Sequence, residues 1–560
     1  MKYKCFFILL ITGFLVQQCA KQTAPTGGPK DETPPKLVRS NPTHNGVDFK
    51  GKEIQLTFDE LIQLNNPKEQ ILITPSIGKK FEVTAKKNKV IIELNSELQD
   101  TTTYSVNFRE GVQDLTEKNP AKIKLAFSTG SYIDSLTVTG TIKDILTDKK
   151  LSNYTVALTT VSDTFNIFKH SAPWITLSDK RGKFALENLK RGHYFIYTFD
   201  DKNKNLVVES KSEKYGFNSD KINLQGRADS IELSVFKLDA TTLKLVSSRP
   251  TFAYYNIRLS KSIVEYKLSS RDDKEKLYST LEPDLATIKV YNTIPNLDSL
   301  QVHLEVTDST DSKVDTLIYV KFQKKESTKD KFSGKIDASN IYESNSILSA
   351  IISFSKPVIH FLPDSLFVQV DSLKRINFSK DDLGWNENFT KLTIRKKIEA
   401  PKITDQQITD QTDDNRSKAK PTQTTKTNNK LILRKGSAIS VENDSIGEIT
   451  SSLKIVKVED YGIISTKVST KENFILQLLD KNNKLIEEVK NLTSYNFENI
   501  PAGTYMLRLL IDLNKNAKWD GGNYVNKNQP EPVVFWRNAK GGKDQILKAN
   551  WFVGPLLITY

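Results

Sequence analysis

The chain has 560 residues, 38% of them apolar, a net charge of +14 and only two cysteines. That length is too great for one core and implies roughly three to five domains. Gly and Pro are not in excess, and the abundance of Thr, Ser, Asn, Val, Ile and Tyr without Ala-rich runs favours strands over helices. The lysines are spread along the whole chain and often alternate with apolar residues, as on the solvated faces of sheets. With no recognition module visible, the positive charge does not imply a nucleic-acid partner.

Residues 1–19 read MKYKCFFILLITGFLVQQC. Lys2 and Lys4 form a positive start, and an apolar run follows from Phe6 to Val16. A spanning helix needs ~20 apolar residues, so this shorter run has the form of a signal peptide. A cysteine closing such a run resembles a bacterial lipoprotein signal, in which the thiol of Cys19 carries the lipid and Cys19 begins the mature chain. Gln18 stands where such signals usually place Gly, Ala or Ser. The alternative is a secreted chain cleaved elsewhere. Residues 20–33 are polar and read as a flexible tether. Both cysteines, Cys5 and Cys19, lie in residues 1–19, so no disulfide is available to the rest of the chain.

Residues 34–130 alternate apolar and polar side chains in short runs: Ile54, Leu56, Phe58; Val90, Ile92, Leu94; Tyr104, Val106, Phe108; Leu125, Phe127. Turn residues at Asn65-Asn66-Pro67, Lys87-Asn88 and Asn119-Pro120 separate them. Period-2 strands at this spacing predict a β-sandwich. Asp59 and Glu60 are adjacent, so on a strand they would point to opposite faces, and they read as surface and loop residues. The runs CAKQTAPTGGPKDETPPKLVRSNPTHNGVDF, IQLTFDELIQL, TTTYSVNFREGVQDLTEKNP and FSTG resemble Ig-like domain lipoproteins of Bacteroidetes, whose first domain is a bacterial Ig-like sandwich of the type found in S-layer proteins. The resemblance covers Cys19 to Asp134 most specifically. It implies a surface or periplasmic lipoprotein without catalytic activity.

Residues 131–239 place Gly182, Phe184, Leu186, Leu189, Gly192 and Tyr194 in an order similar to a transthyretin-like or carboxypeptidase-regulatory-like sandwich. The strand from Tyr194 runs into an acidic loop of Asp201, Asn203, Asn205, Val207 and Glu209. Oxygens at positions 1, 3, 5 and 9 with a carbonyl at 7 are what a calcium loop supplies, since a hard cation takes about 6–8 oxygens. Leu206 occupies the position where that class prefers Gly, and Ser212 stands where a bidentate acid is expected, with Glu213 beside it. The alternative is a solvated turn rich in Asn and Asp.

Residues 240–332 continue with strand-like runs and no motif, as expected of a further sandwich. His303 alternates with Val302 and Leu304, which places it on the opposite face of its strand. Residues 333–440 open with IISFSKPV, an echo of IQLTFDEL, and predict a second Ig-like domain. Within it, residues 398–430 are almost free of apolar side chains and read as a disordered insert.

Residues 441–560 repeat the second domain. At an offset of 311 residues Gly192 falls on Gly503, Tyr194 on Tyr505 and Asp201 on Asp512. The second acidic loop is Asp512, Asn514, Asn516, Lys518 and Asp520, with Ala517 at the glycine position. Repetition of the ligand positions strengthens the expectation of calcium, in a structural role that stiffens a loop.

The sequence contains no HExxH, GxSxG, P-loop or dinucleotide fingerprint, and the five histidines are scattered. The expected fold is therefore all-β, a string of Ig-like and transthyretin-like sandwiches arranged as a rod or bent string. The expected function is a non-enzymatic scaffold, adhesin or assembly partner, lipid-anchored at the outer membrane and meeting another envelope protein or a glycan. Ala20, Lys21 and Gln22 follow Cys19, and the first acid is Asp31, which leans toward the periplasmic face. The first alternative is a glycan- or other ligand-binding lipoprotein, with Trp174, Trp385 and Trp536 as a sugar platform, although these read more readily as core or edge packing. A carboxylate-based glycosidase is the least favoured alternative.

Overall fold

The computed structural model describes residues 31–162, 164–270, 277–293, 299–322, 329–343, 345–370, 374–398 and 426–560. Cys19, the signal segment, nearly all of the tether and most of 398–430 lie outside the described residues. The described chain is almost wholly β.

In the first domain Leu37–Asn41, Glu53–Phe58, Lys89–Leu94 and Phe81–Lys86 form one sheet in that order. Leu72–Thr74, Thr103–Asn107 and Lys124–Ser128 form the facing sheet. Ile54, Leu56 and Phe58 are fully buried against Val90, Ile92, Val106 and Phe127, while Gln55 is exposed. The period-2 pattern thus translates directly into one dry face. Asp59 is exposed and accepts the Lys36 N–H at 2.8 Å.

The second domain and the terminal sandwich share one topology. In the second domain Leu136–Asp144 pairs antiparallel with Lys183–Leu189 and parallel with Ala228–Val235. In the terminal sandwich Tyr461–Ser469 pairs antiparallel with Ser494–Pro501 and parallel with Phe552–Thr559. The second sheet of each is built around the strand that leads into the acidic loop, Gly192–Phe199 or Gly503–Asp512. Tyr194 Oη donates to the Lys190 carbonyl at 2.9 Å, and Tyr505 Oη donates to the Pro501 carbonyl at 2.7 Å. The repeated Gly-x-Tyr therefore marks the same turn, closed by the same hydrogen bond.

Residues 240–322 form a further pair of sheets. His303 lies on the outer face there, 2.6 Å from Asp315, between buried Val302 and Leu304. In the next domain Ile347–Phe354 pairs with Lys391–Lys397, as Glu53–Phe58 pairs with Lys89–Leu94. Ile449–Val456, which the sequence reading placed in the terminal sandwich, joins this eight-stranded sheet instead. Its Leu453 packs with Leu348, Ile352 and Leu392.

The string bends back on itself. Tyr524 of the terminal sandwich is buried in an aromatic cluster with Tyr197, Phe199, Tyr215 and Phe217 of the second domain. Two buried lysines stand where neighbouring domains meet. Lys261 donates to the Asp239 carbonyl at 2.8 Å and pairs with Asp308 at 2.5 Å. Lys356 lies 2.7 Å from both Glu442 and Asp444, and Glu442 in turn receives the Tyr254 hydroxyl from the preceding domain at 3.4 Å. Burial works to lower the Lys356 pKa, but its bonds to Asp444 and Glu442 hold it above the ordinary value. Removing one member of a buried pair strands the other charge. Lys356→Met is expected to destabilise its domain by about 3–5 kcal/mol, and Lys356→Met with Glu442→Leu to recover much of that loss, as read by chemical denaturation.

Candidate functional site

The two acidic loops adopt the same conformation. In the first, Asp201 Oδ1 accepts the Asn205 N–H at 3.1 Å and Oδ2 accepts the Leu206 N–H at 3.2 Å. In the second, Asp512 accepts the Asn516 and Ala517 N–H groups at 3.0 and 2.9 Å. Asn203 and Asn205 donate their amides to Glu209 Oε1 at 2.7 and 3.1 Å. Asn514 and Asn516 donate to Asp520 Oδ2 at 2.6 and 2.8 Å. Leu206 has φ 62° and Ala517 φ 61°. Both occupy the left-handed region that the glycine of a calcium loop would take, so the backbone path is kept although the glycine is not.

Each loop is closed by one more carboxylate. Glu213 is fully buried, and its two oxygens accept the Lys202 N–H at 3.0 Å and the Glu209 N–H at 2.9 Å. Glu531 is 7% exposed, and its oxygens accept the Leu513 N–H at 2.6 Å and the Asp520 N–H at 2.9 Å. Lys202 corresponds to Leu513 and Glu209 to Asp520, so the two glutamates do the same work. They reach it by different routes. Glu213 lies four residues past Glu209, whereas Glu531 lies eleven past Asp520. A comparison of the repeats at the fixed offset of 311 does not pair Glu213 with Glu531, because it sets Glu213 against Tyr524.

These are electrostatically costly positions. Burial pushes the Glu213 and Glu531 pKa values up, against the lowering effect of the N–H donors, and burial likewise raises Asp201. Among the described residues no ion pair offsets Glu213, Glu531, Asp201 or Asp512. As a donor set, Asp201, Asn203, Asn205, the carbonyl of Val207, Glu209 and Glu213 match the all-oxygen preference of a hard cation, and Asp512, Asn514, Asn516, the carbonyl of Lys518, Asp520 and Glu531 match it equally. In the arrangement described, these carboxylates accept N–H groups, and two positions of each loop are asparagine amides. Among the described residues no three His, Cys, Asp or Glu side chains are gathered as a metal cluster.

Of the tryptophans weighed as a sugar platform, Trp536 is in a core and Trp174 and Trp385 are half-buried at the edges of two others. Trp174 packs edge-on to Tyr194 at 5.5 Å. Trp385 stacks on Phe354 at 5.6 Å, and Trp536 is 9% exposed within the terminal core. Cys19 lies outside the described residues.

A family model described as bacterial Ig-like domain matches residues 31–129. The chain carries a bacterial Ig-like domain. No curated protein matches the chain. Among solved structures it is similar to the Bacillus anthracis TIE protein, with 10% identity, TM-score 0.12, and coverage of 96% of this chain and 75% of that one. Domains 1–6 of the surface layer protein SbsC give 9% identity and TM-score 0.15, over 94% of this chain and 68% of that one. A Bacteroides ovatus glucan-utilisation protein, SGBP-B, solved with a mixed-linkage heptasaccharide, gives 9% identity and TM-score 0.14, over 63% of this chain and 82% of that one.

The buried glutamate makes a testable signature. The folded-state pKa of Glu213 is raised above the ordinary value of 4.5, so the folded state holds its proton to higher pH than the unfolded state. Its contribution therefore falls as pH rises from below that value through the raised folded pKa. Glu213→Gln is expected to flatten this part of the stability–pH curve, measured in the presence of a chelator by urea denaturation across the acidic range.

Proposed function

We propose that this protein is a non-enzymatic, lipid-anchored envelope lipoprotein that works as a scaffold or assembly partner. The observation that carries the reading is the bacterial Ig-like domain at residues 31–129, which follows an apolar segment closed by Cys19 and a short polar tether. The two or three acyl chains of a lipidated cysteine give stable anchoring, because each buried CH₂ contributes ~0.8 kcal/mol. Trp174 and Trp385 are half-buried against aromatic neighbours and Trp536 is buried, which favours a protein partner over a glycan that stacks on those rings. The reading places the chain at the outer membrane, on its periplasmic side. Cys19→Ser is expected to abolish incorporation of a labelled fatty acid and to move the protein from the membrane to the soluble fraction. Retention of label, or of membrane association, in that variant overturns the anchor.

We further propose that the paired loops are structural calcium sites. The supporting observation is that each loop, besides its Asp and Asn residues, brings in a buried glutamate with no ion pair among the described residues, Glu213 or Glu531. A divalent cation would supply the missing positive charge. At a hundredfold excess over Kd each bound ion adds about 2.7 kcal/mol to stability. Calcium is expected to raise the melting temperature, chelation to lower it, and Glu531→Gln to remove part of the calcium response. A melting curve indifferent to both calcium and chelator overturns the assignment.

A further inference from the structure

The outer face of a sandwich sheet normally meets water and carries polar side chains. In the second domain and the terminal sandwich it does not. Along Gly192–Phe199 the residues on both faces are mostly buried, with Tyr194 and Ile196 facing one core and Tyr197 and Phe199 another. Asn473–Asp480 is buried at all six consecutive positions from Phe474 to Leu479.

Most of the contacts that cover these faces come from the two sandwiches themselves, with Leu72 of the first domain packed against the same cluster. Tyr524 is 4% exposed. Its ring meets Phe168 and Phe217 edge-on at 5.3 and 5.4 Å, and Phe195 at 5.9 Å. Lys527 lies over the Tyr524 and Phe195 rings at 3.8 and 4.7 Å, and burial lowers its pKa. Gln529 donates to the Phe217 carbonyl at 2.9 Å and to Ser219 at 2.8 Å. A second group of contacts reaches the turn at residues 144–148. The Arg508 guanidinium donates to the Leu146 carbonyl, Arg537 pairs with Asp148, and Lys543 donates to the Thr147 carbonyl at 2.7 Å. An aromatic anchor in a dry pocket with charged and polar contacts at the rim is the anatomy of a specific interface.

We propose that the terminal sandwich is a clasp. Its docking onto the second domain through Tyr524 closes the chain, so that the domains between them are held as a loop with both ends fixed. Release of this interface uncovers part of the Tyr197, Phe199 and Phe217 face. This goes beyond the anchoring and calcium readings and rests on neither. The aromatic contacts set the docked position, and the Arg508, Arg537 and Lys543 contacts set its orientation.

Hydrogen exchange and X-ray scattering on the full chain test it. In the unaltered protein, peptides covering 195–199 and 215–217 are expected to exchange slowly. Tyr524→Ala should speed exchange there at least about tenfold and increase the radius of gyration, with peptides at 54–58 unchanged and those at 474–478 still protected. If the last of these lose protection, the terminal sandwich has itself unfolded, and a charge exchange decides instead. Asp148→Arg should loosen the same peptides about two- to fivefold, and Asp148→Arg with Arg537→Asp should restore them. Unchanged exchange at 195–217 in Asp148→Arg, together with an unchanged radius of gyration in Tyr524→Ala, overturns the clasp.

Discussion

The architecture depends on burying both faces of two five-stranded sheets. A sandwich that stands alone needs one dry face per sheet, and its sequence alternates accordingly. The strands Gly192–Phe199, Asn473–Asp480 and Gly503–Asp512 instead run almost continuously apolar. Such surfaces are stable in water only when something covers them. The terminal sandwich and the second domain cover each other, and Tyr524 fills the gap between them. Aromatic pairs of this kind contribute about 0.5–1.5 kcal/mol each beyond their burial, so three such contacts make Tyr524 a principal anchor.

Closure explains where the costly charges sit. Lys261 with Asp308 and Lys356 with Glu442 are buried where consecutive domains meet. A buried pair adds little net stability over an apolar substitute, because desolvation offsets the attraction. Each pair also makes a contact across its joint: Lys261 donates to the Asp239 carbonyl and Glu442 accepts the Tyr254 hydroxyl, so a domain rotated out of register would lose that hydrogen bond. A closed chain needs such fixed angles at each joint, or its ends would not meet. The two acidic loops belong to the same scheme. Leu206 and Val208 of the first and Trp519 of the second all pack on the aromatic cluster between the two sandwiches.

Much of the individual domain structure was legible in the residues. Ile54, Leu56 and Phe58 alternate with polar neighbours and are buried as that alternation requires. IISFSKPV echoes IQLTFDEL, and the two segments form equivalent strand pairs. The Gly-x-Tyr repeat identified two sandwiches of one topology, and the loop positions at the fixed offset adopt one conformation. A signal for closure was present as well. Phe195 and Tyr197 beside Tyr194 and Ile196, and Met506 and Leu510 beside Leu507 and Leu509, break the two-residue period. Reading only the inward set of each strand passes over the second apolar face, and so leaves an open rod as an option.

Local pattern therefore determined the strands, the Ig-like domain, the internal repeat and the ligand-type residues of the loops, because side-chain alternation and turn chemistry act over a few residues. Tertiary structure alone decided that Glu531 closes the second loop, which domain owns Ile449–Val456, and that Tyr524 seats in a pocket made by residues about three hundred positions earlier. Glu213 and Glu531 occupy one chemical position at different distances along the chain, and no periodicity relates them. Contacts of that range form only when whole sheets stack. The shape complementarity of two finished surfaces, rather than any property of a short segment, selects them.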